Sequence, residues 1–215
     1  MALSIKARDR IGAAALIAWN SAALVGVAIK ITRAVSDAGA AALPQCLSLG
    51  TSAAVLVLQM YFLAIRSPSV ARTPGLLPRA CALLGAYIPA TFVLLPTTAS
   101  KELQLAAALV TTMGTVGVIY ALAHLGSAFS VFPQARRLVT TGPYRVIRHP
   151  LYLFGEVSVV GIALGYMQPW ALLLAGLSLL LQFPRMAYEE RILAATFEDY
   201  AAYLARTSRL IPGFY

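Results

Sequence analysis

The sequence predicts an all-α integral membrane protein of about six transmembrane segments. The last two form a short helical hairpin, and a C-terminal cytoplasmic helix follows. Three observations carry this prediction. Of 215 residues, 60% are hydrophobic and only 12% charged, with a mean hydropathy of +0.76, whereas soluble domains carry about 25% charged residues. Apolar runs recur at lengths near the roughly 20 residues that a helix needs to cross the hydrocarbon core. Basic residues gather in alternate loops, the bias that orients membrane helices. The net charge of +9 therefore speaks to topology and anionic lipid rather than to nucleic acid, for which no binding motif is present.

The first span is expected over Ile11–Ile31, behind Lys6, Arg8 and Arg10, which place the N-terminus in the cytoplasm. No cleavable signal is expected, because the run after Arg10 is long enough to span. Trp19-Asn20-Ser21 makes the centre of this span mildly polar, so that face should pack on protein. Leu47–Ile65 is the second span, and the loop behind it, with Arg66, Arg72 and Arg79, reads as cytoplasmic. A third, Arg79–Ala99, contains Pro89, which should kink it. The fourth, Leu103–Leu125, carries Thr111, Thr112, Gly114, Thr115 and Gly117, small residues that let helices approach closely. Leu151–Tyr166 and Trp170–Phe183 are each shorter than a comfortable span. Joined by Met167-Gln168-Pro169, they read as a tight hairpin that returns the chain to the cytoplasmic side. Residues 1–128 are thus an N-terminal helical region, and residues 129–215 the region expected to carry chemistry. Cys46 and Cys81 lack CxxC spacing and histidine partners, so neither a disulfide nor a metal site is expected.

Leu138–Tyr152, LVTTGPYRVIRHPLY, is polar and turn-rich between apolar runs. Gly142-Pro143 marks a turn, and Pro150 biases His149 away from helical geometry. Thr140, Thr141, Tyr144, Arg145, Arg148, His149 and Tyr152 concentrate hydrogen-bonding and cationic groups at a helix end. In a membrane protein this marks a small-molecule site; the plainer reading is a basic loop that only fixes topology. The hairpin should bring residues 145–149 beside residues 185–190. Downstream, Met186, Glu190, Leu193 and Phe197 share one helical stripe. Glu190 is then a carboxylate on an apolar face, costing several kcal/mol unless a cation compensates it. Arg185, Arg145, Arg148 and His149 are the available partners. Glu189, four residues after Arg185, reads as a solvated helix charge.

LVTTGPYRVIRHPLY, an apolar stretch, then RxxxEE, FEDYxxY and a closing IPG together resemble the isoprenylcysteine carboxyl methyltransferase family. Related phospholipid N-methyltransferases share the RHPxY and EE features. The resemblance covers roughly Phe129–Gly213. It implies S-adenosylmethionine as cofactor, held at the cytoplasmic membrane surface by Leu138, Val139, Thr140, Tyr144, His149 and Tyr152, with Gln134 just upstream. It also implies Arg185 and Glu190 as the residues of activity. Two departures stand out: Phe154 occupies a position where the family commonly has glycine, with Gly155 one later, and no FFG-type glycine precedes FEDY.

Those residue types suit the implied chemistry. His149 or Arg148 can meet the cofactor carboxylate, Glu190 its hydroxyls, and Tyr144 or Tyr152 the adenine and the sulfonium, since aromatic faces attract desolvated cations. The resemblance implies an amphiphilic acceptor entering from the bilayer, an isoprenylcysteine-like carboxylate in preference to a lipid head group. Arg185 can orient a carboxylate in a bidentate fork. A carboxylate needs no general base, whereas an amine would, and Glu190 would then be the candidate. Tyr61, Tyr87, Tyr166 and Trp170 read as interfacial anchors, His124 as an interhelical hydrogen-bonding residue, and Arg206 and Arg209 as neutralising lipid phosphates.

Two rivals stand beside this reading. One is an NADPH-dependent membrane reductase of sterol-reductase-like architecture, for which no Gly-rich dinucleotide fingerprint is present. The other is a non-catalytic membrane scaffold or small transporter, which calls for polar residues at mid-membrane and repeat symmetry. The expected location is a prokaryotic plasma membrane, with both termini and the site cytoplasmic and the oligomeric state open.

Overall fold

The computed structural model describes residues 5–96 and 99–213, without the side chains of residues 5–8, 40, 41, 93 and 94. The side chains of Lys6 and Arg8, and the stretch at 97–98 of the expected third span, lie outside what is described. The chain runs α1 (Ile5–Ala38), α2 (Leu43–Ile65), β1 (Ala71–Arg72), α3 (Leu77–Tyr87), α4 (Lys101–Leu125), β2 (Gln134–Ala135), α5 (Pro150–Tyr166), α6 (Pro169–Thr196) and α7 (Tyr200–Arg206). Among the described residues, α1, α2, α4 and α6 are long and apolar enough to cross a membrane, and α5 is a shorter apolar helix. The protein is an all-α integral membrane protein.

Two elements differ from expectation. The third apolar run does not form one kinked helix: α3 stops at Tyr87, and Ile88–Leu94 continues as a 3-10 helix. Pro89 has no N–H to donate and its ring crowds the preceding turn, so the α-helix ends there instead of bending. Conversely, α6 runs unbroken through Pro184 to Thr196. The acidic turn is therefore the far end of the hairpin's second helix, and the separate C-terminal helix is only the short α7.

The α4–α5 contact fixes the hairpin, and it depends on glycine at named points. A Cβ on Gly114 would lie 2.5 Å from the Ser158 backbone nitrogen, and one on Gly161 2.5 Å from that of Thr111. The ring of Phe154 fills the space that Gly117 leaves, with Cγ 2.4 Å from where a Cβ would be. The bulk of Phe154 on α5 is thus answered by a missing side chain on α4. Gly114→Ala and Gly161→Ala are each expected to cost about 1–3 kcal/mol through overpacking. Gly155, with nothing within 4 Å of its Cβ position, is the neutral control, and thermal unfolding in detergent compares the three.

On the first helix, Asn20 is buried and donates to Gln59 Oε1 at 3.2 Å, so the polar centre of α1 packs on α2. Tyr87 sits edge-on to Trp19 with centroids 5.4 Å apart, and Tyr166 stacks on Phe92 at 5.8 Å. These two tyrosines pack within the protein, whereas Tyr61 and Trp170 are exposed as interfacial anchors would be. Where α1, α2 and the two-stranded ribbon meet, Asp9 accepts three guanidinium groups. Arg66, Arg72 and Arg136 lie 2.9, 3.3 and 3.0 Å from its Oδ1. The antiparallel ribbon pairs Ala71 with Ala135 and Arg72 with Gln134. It ties the loop after α2 to the segment after α4.

Candidate active site

Pro150 opens α5, and His149 before it holds φ −125° and ψ 54°, outside helical geometry. This turn is held in place by the C-terminal segment. Backbone N–H groups of Arg148 and His149 donate to the carbonyls of Ser208 and Arg209 at 2.9 and 3.1 Å. The same exchange delivers Arg209 to Glu190. Glu190 Oε1 accepts from Arg148 Nε at 3.0 Å, His149 Nε2 at 3.1 Å and Arg209 Nε at 3.0 Å, and Oε2 is paired with Arg209 Nη2. A carboxylate on an apolar helix stripe is thus compensated by three donors from two other segments.

These contacts correct four expectations. Arg145 is exposed, and Arg185 points elsewhere, so neither pairs with Glu190. Arg209 binds Glu190 directly. Glu189 is not a free surface charge: it accepts the Tyr152 hydroxyl and lies 3.9 Å from His149 Nδ1. His124 bonds the Tyr120 carbonyl of its own helix at 2.9 Å, not a neighbouring helix.

The lower ends of α5 and α6, the 130–139 strap and α7 enclose a cavity of about 100 Å³. Of the residues expected to contact a cofactor, Gln134, Leu138, Val139, Tyr144, His149 and Tyr152 line this cavity, and Thr140 does not. Glu190 stands behind the wall and holds Arg148 and His149, which are in it, while Glu189 lines the cavity. Sequence reasoning did not single out Arg136, Tyr200 or Tyr203, which also line it. The signal for the last two was the i, i+3 tyrosine pair in FEDYAAY, which puts both rings on one face. Tyr203 donates to the Tyr144 carbonyl at 2.8 Å, and burial pushes its hydroxyl up to about 12, so it stays a neutral donor. Burial likewise raises the Tyr144 hydroxyl, with the nearby Glu189 charge adding to the effect.

Two polar atoms in this wall are buried without a partner: Tyr144 Oη and Arg136 Nε. Burying a donor unpaired costs about 1–3 kcal/mol, so both call for an acceptor in the cavity. A nucleoside sulfonium with a carboxylate tail has such acceptors, and the tyrosine faces and Glu189 suit its cationic end. The residue types fit that cofactor.

A second cavity, of about 420 Å³, opens between α2, α3, α4, α5 and α6. Ser130, Leu151 and Tyr152 line both cavities. Arg185 lines the second cavity only and packs against this shared wall, its guanidinium carbon 4.8 Å from the Tyr152 ring centroid. It donates to Gln182 Oε1 at 2.7 Å, and its Nε is buried without a partner. Among the described residues there is no group of three or more His, Cys, Asp or Glu placed to hold a metal ion.

Residues 103–200, from the start of α4 to the start of α7, match the family described as phospholipid methyltransferase. An all-helical membrane fold with a cavity at the open end of its last hairpin is the setting in which that match falls. The segment is thus similar to the phospholipid methyltransferase family over a little under half of the chain. Curated relatives include the nickel-cobalt-cadmium resistance protein NccN of Alcaligenes xylosoxydans xylosoxydans, 35% identical over 104 residues, which are 47% of this chain and 46% of that protein. Another is the cobalt-zinc-cadmium resistance protein CzcN of Cupriavidus metallidurans, 31% identical over 109 residues, 48% of this chain and 50% of that protein. The chain spans about half the length of the curated relatives it matches.

Proposed function

We propose that the protein is an S-adenosylmethionine-dependent methyltransferase that acts on the carboxylate of an amphiphile entering from the bilayer. The observation that carries this reading is the wall shared by the two cavities. Tyr152 separates a pocket lined by Glu189, His149 and Tyr144 from a lateral pocket in which Arg185 has an unpartnered Nε. Cofactor and acceptor can thus reach one point from opposite sides.

When bound, the cofactor supplies a methyl group on a sulfonium. A carboxylate acceptor would have no proton to lose, so the residues around it would need to supply no base. The protein's task is alignment, which is where most of the acceleration in such a displacement arises. Arg185 holds the acceptor carboxylate against the Tyr152 ring. Arg136 and Tyr144 donate to the cofactor's acceptors, and Glu190 fixes Arg148 and His149 in the wall. The pocket is smaller than the roughly 300–1,000 Å³ of a site that takes up a drug-sized ligand. In this reading the site faces the cytoplasm, where the cofactor is made.

Transfer of a radiolabelled methyl group from S-adenosylmethionine into long-chain carboxylic acids, with the full chain in lipid nanodiscs, tests the proposal. Base-labile label, the mark of a methyl ester, is the expected product. Arg185→Lys should lower kcat/KM about a hundredfold, because an ammonium cannot reproduce the planar fork. Label that appears only in base-stable amines would overturn the carboxylate assignment. Tyr152→Phe, which removes the bond to Glu189, is expected to weaken binding of S-adenosylhomocysteine about tenfold by calorimetry.

A further inference from the structure

The Glu156 carboxylate has no place in the scheme above. Glu156 lies within α5, one helical turn beyond Tyr152, in an otherwise apolar stretch. It lines the lateral cavity together with Arg185, Gln182 and Ser178. Its Oε1 accepts from Ser178 Oγ at 3.0 Å and from Gln182 Nε2 at 2.7 Å, while the Gln182 Oε1 accepts from Arg185 Nη1 at 2.7 Å. Ser178 and Gln182 are themselves buried, so this is a built row and not a surface chain. An acid and a base therefore stand one amide apart on the same cavity wall. Neither is satisfied by the other: no ion pair joins them, both bonds to the carboxylate fall on Oε1, and Arg185 Nε lacks an acceptor. Ionisable groups at this depth are expensive to keep and mark ligand sites when they face a cavity.

We infer that the lateral cavity is a subsite for a zwitterionic head group, in which Arg185 takes the carboxylate and Glu156 selects an ammonium on the neighbouring carbon. The acceptor class is then a long-chain amino acid or similar amphiphile, not a simple fatty acid. This rests on the carboxylate-acceptor reading and deepens it. The ammonium lies on the far side of the carboxylate from the cofactor pocket, because Glu156 lines only the lateral cavity whereas Tyr152 lines both. Oxygen is thereby presented for methylation and nitrogen is held away. The walls beyond are apolar, with Val55, Leu56, Val118, Val159 and Ile162, and take the chain of the lipid.

Equilibrium binding of three probes to the full chain in nanodiscs tests the inference: 2-aminohexadecanoate, its N-acetyl derivative and unsubstituted hexadecanoate. Wild type should bind the amino lipid about tenfold more tightly than either of the others, the scale of one charge-assisted bond. Glu156→Gln keeps the size and the Ser178 contact and should bring all three to the same affinity, while Glu156→Asp retains the preference. Equal or undetectable binding of the three by wild type would overturn the inference, as would a preference that survives Glu156→Gln. S-adenosylhomocysteine is titrated in parallel. If it fails to bind while the amino-lipid preference holds, the methyltransferase reading falls and the subsite stands; if it binds with no lipid preference, the reverse is true.

Discussion

Glu190→Gln is expected to abolish methyl transfer and to lower the unfolding free energy by about 3 kcal/mol, the lower end of the range for breaking a buried ion pair. Glu190 is the acceptor for Arg148, His149 and Arg209, all with bonds of 3.0–3.1 Å to one oxygen. An amide retains a single acceptor oxygen and turns N–H groups toward donors. At least one cation is then left in a partly buried site, and desolvation makes that costly. Because Glu190 stands behind the cavity wall, the loss reaches the cofactor through Arg148 and His149. Affinity for S-adenosylhomocysteine should therefore fall with stability, and Glu190→Asp should restore part of both. Arg209→Ala removes one donor of the three and should do much less. Thermal unfolding with calorimetry on the same samples measures both effects. A Glu190→Gln variant with unchanged binding and turnover would remove this residue from the site.

The second large effect is expected far from the chemistry. Asp9→Asn should destabilise the fold by about 3–5 kcal/mol, because it leaves three guanidinium groups around a neutral side chain. The Arg136 side chain is fully buried, and Arg66 is nearly so. Burial depresses both guanidinium groups below their ordinary range, with the Asp9 charge working against it. Raising the salt concentration should not rescue the variant, since buried charges are poorly screened. The consequence extends to the cavity: Arg136 also donates to Gln134 Oε1 at 2.7 Å, and both residues line it. Denaturant titration in mixed micelles reads the cost, and a loss below 1 kcal/mol would contradict the argument.

Much of this was legible in the sequence, and the physical reasons for what was not are specific. The hydropathy pattern predicted the four long apolar helices, because apolar length is nearly the whole requirement for spanning, but not the expected count of six. The juxtaposition of His149 and Glu190 followed from a short hairpin, whose two ends have nowhere to go but together. Pro89 and Pro184 fell out oppositely. A proline kinks, ends or merely interrupts a helix according to what packs beside it, and residue spacing does not report that. The partners of Glu190 were partly missed because Arg209 arrives by a strap that exchanges backbone bonds with residues 146–149, an interaction between segments distant in sequence. Glu189 was misjudged because helical bookkeeping assigns it to the face beside the apolar stripe, and only the Tyr152 hydroxyl turns that face into a cavity wall. Glu156, a lone acid in an apolar helix, was not singled out, because its row of partners exists only across α5 and α6.

The central claim is that the turn bearing His149 and the acidic end of α6 enclose a site for S-adenosylmethionine. Calorimetric titration of the full chain with S-adenosylhomocysteine, and separately with NADPH, tests it most directly. The account predicts one S-adenosylhomocysteine bound per chain, weakened by Tyr144→Phe, and no heat from NADPH. Saturable NADPH binding without S-adenosylhomocysteine binding would contradict it.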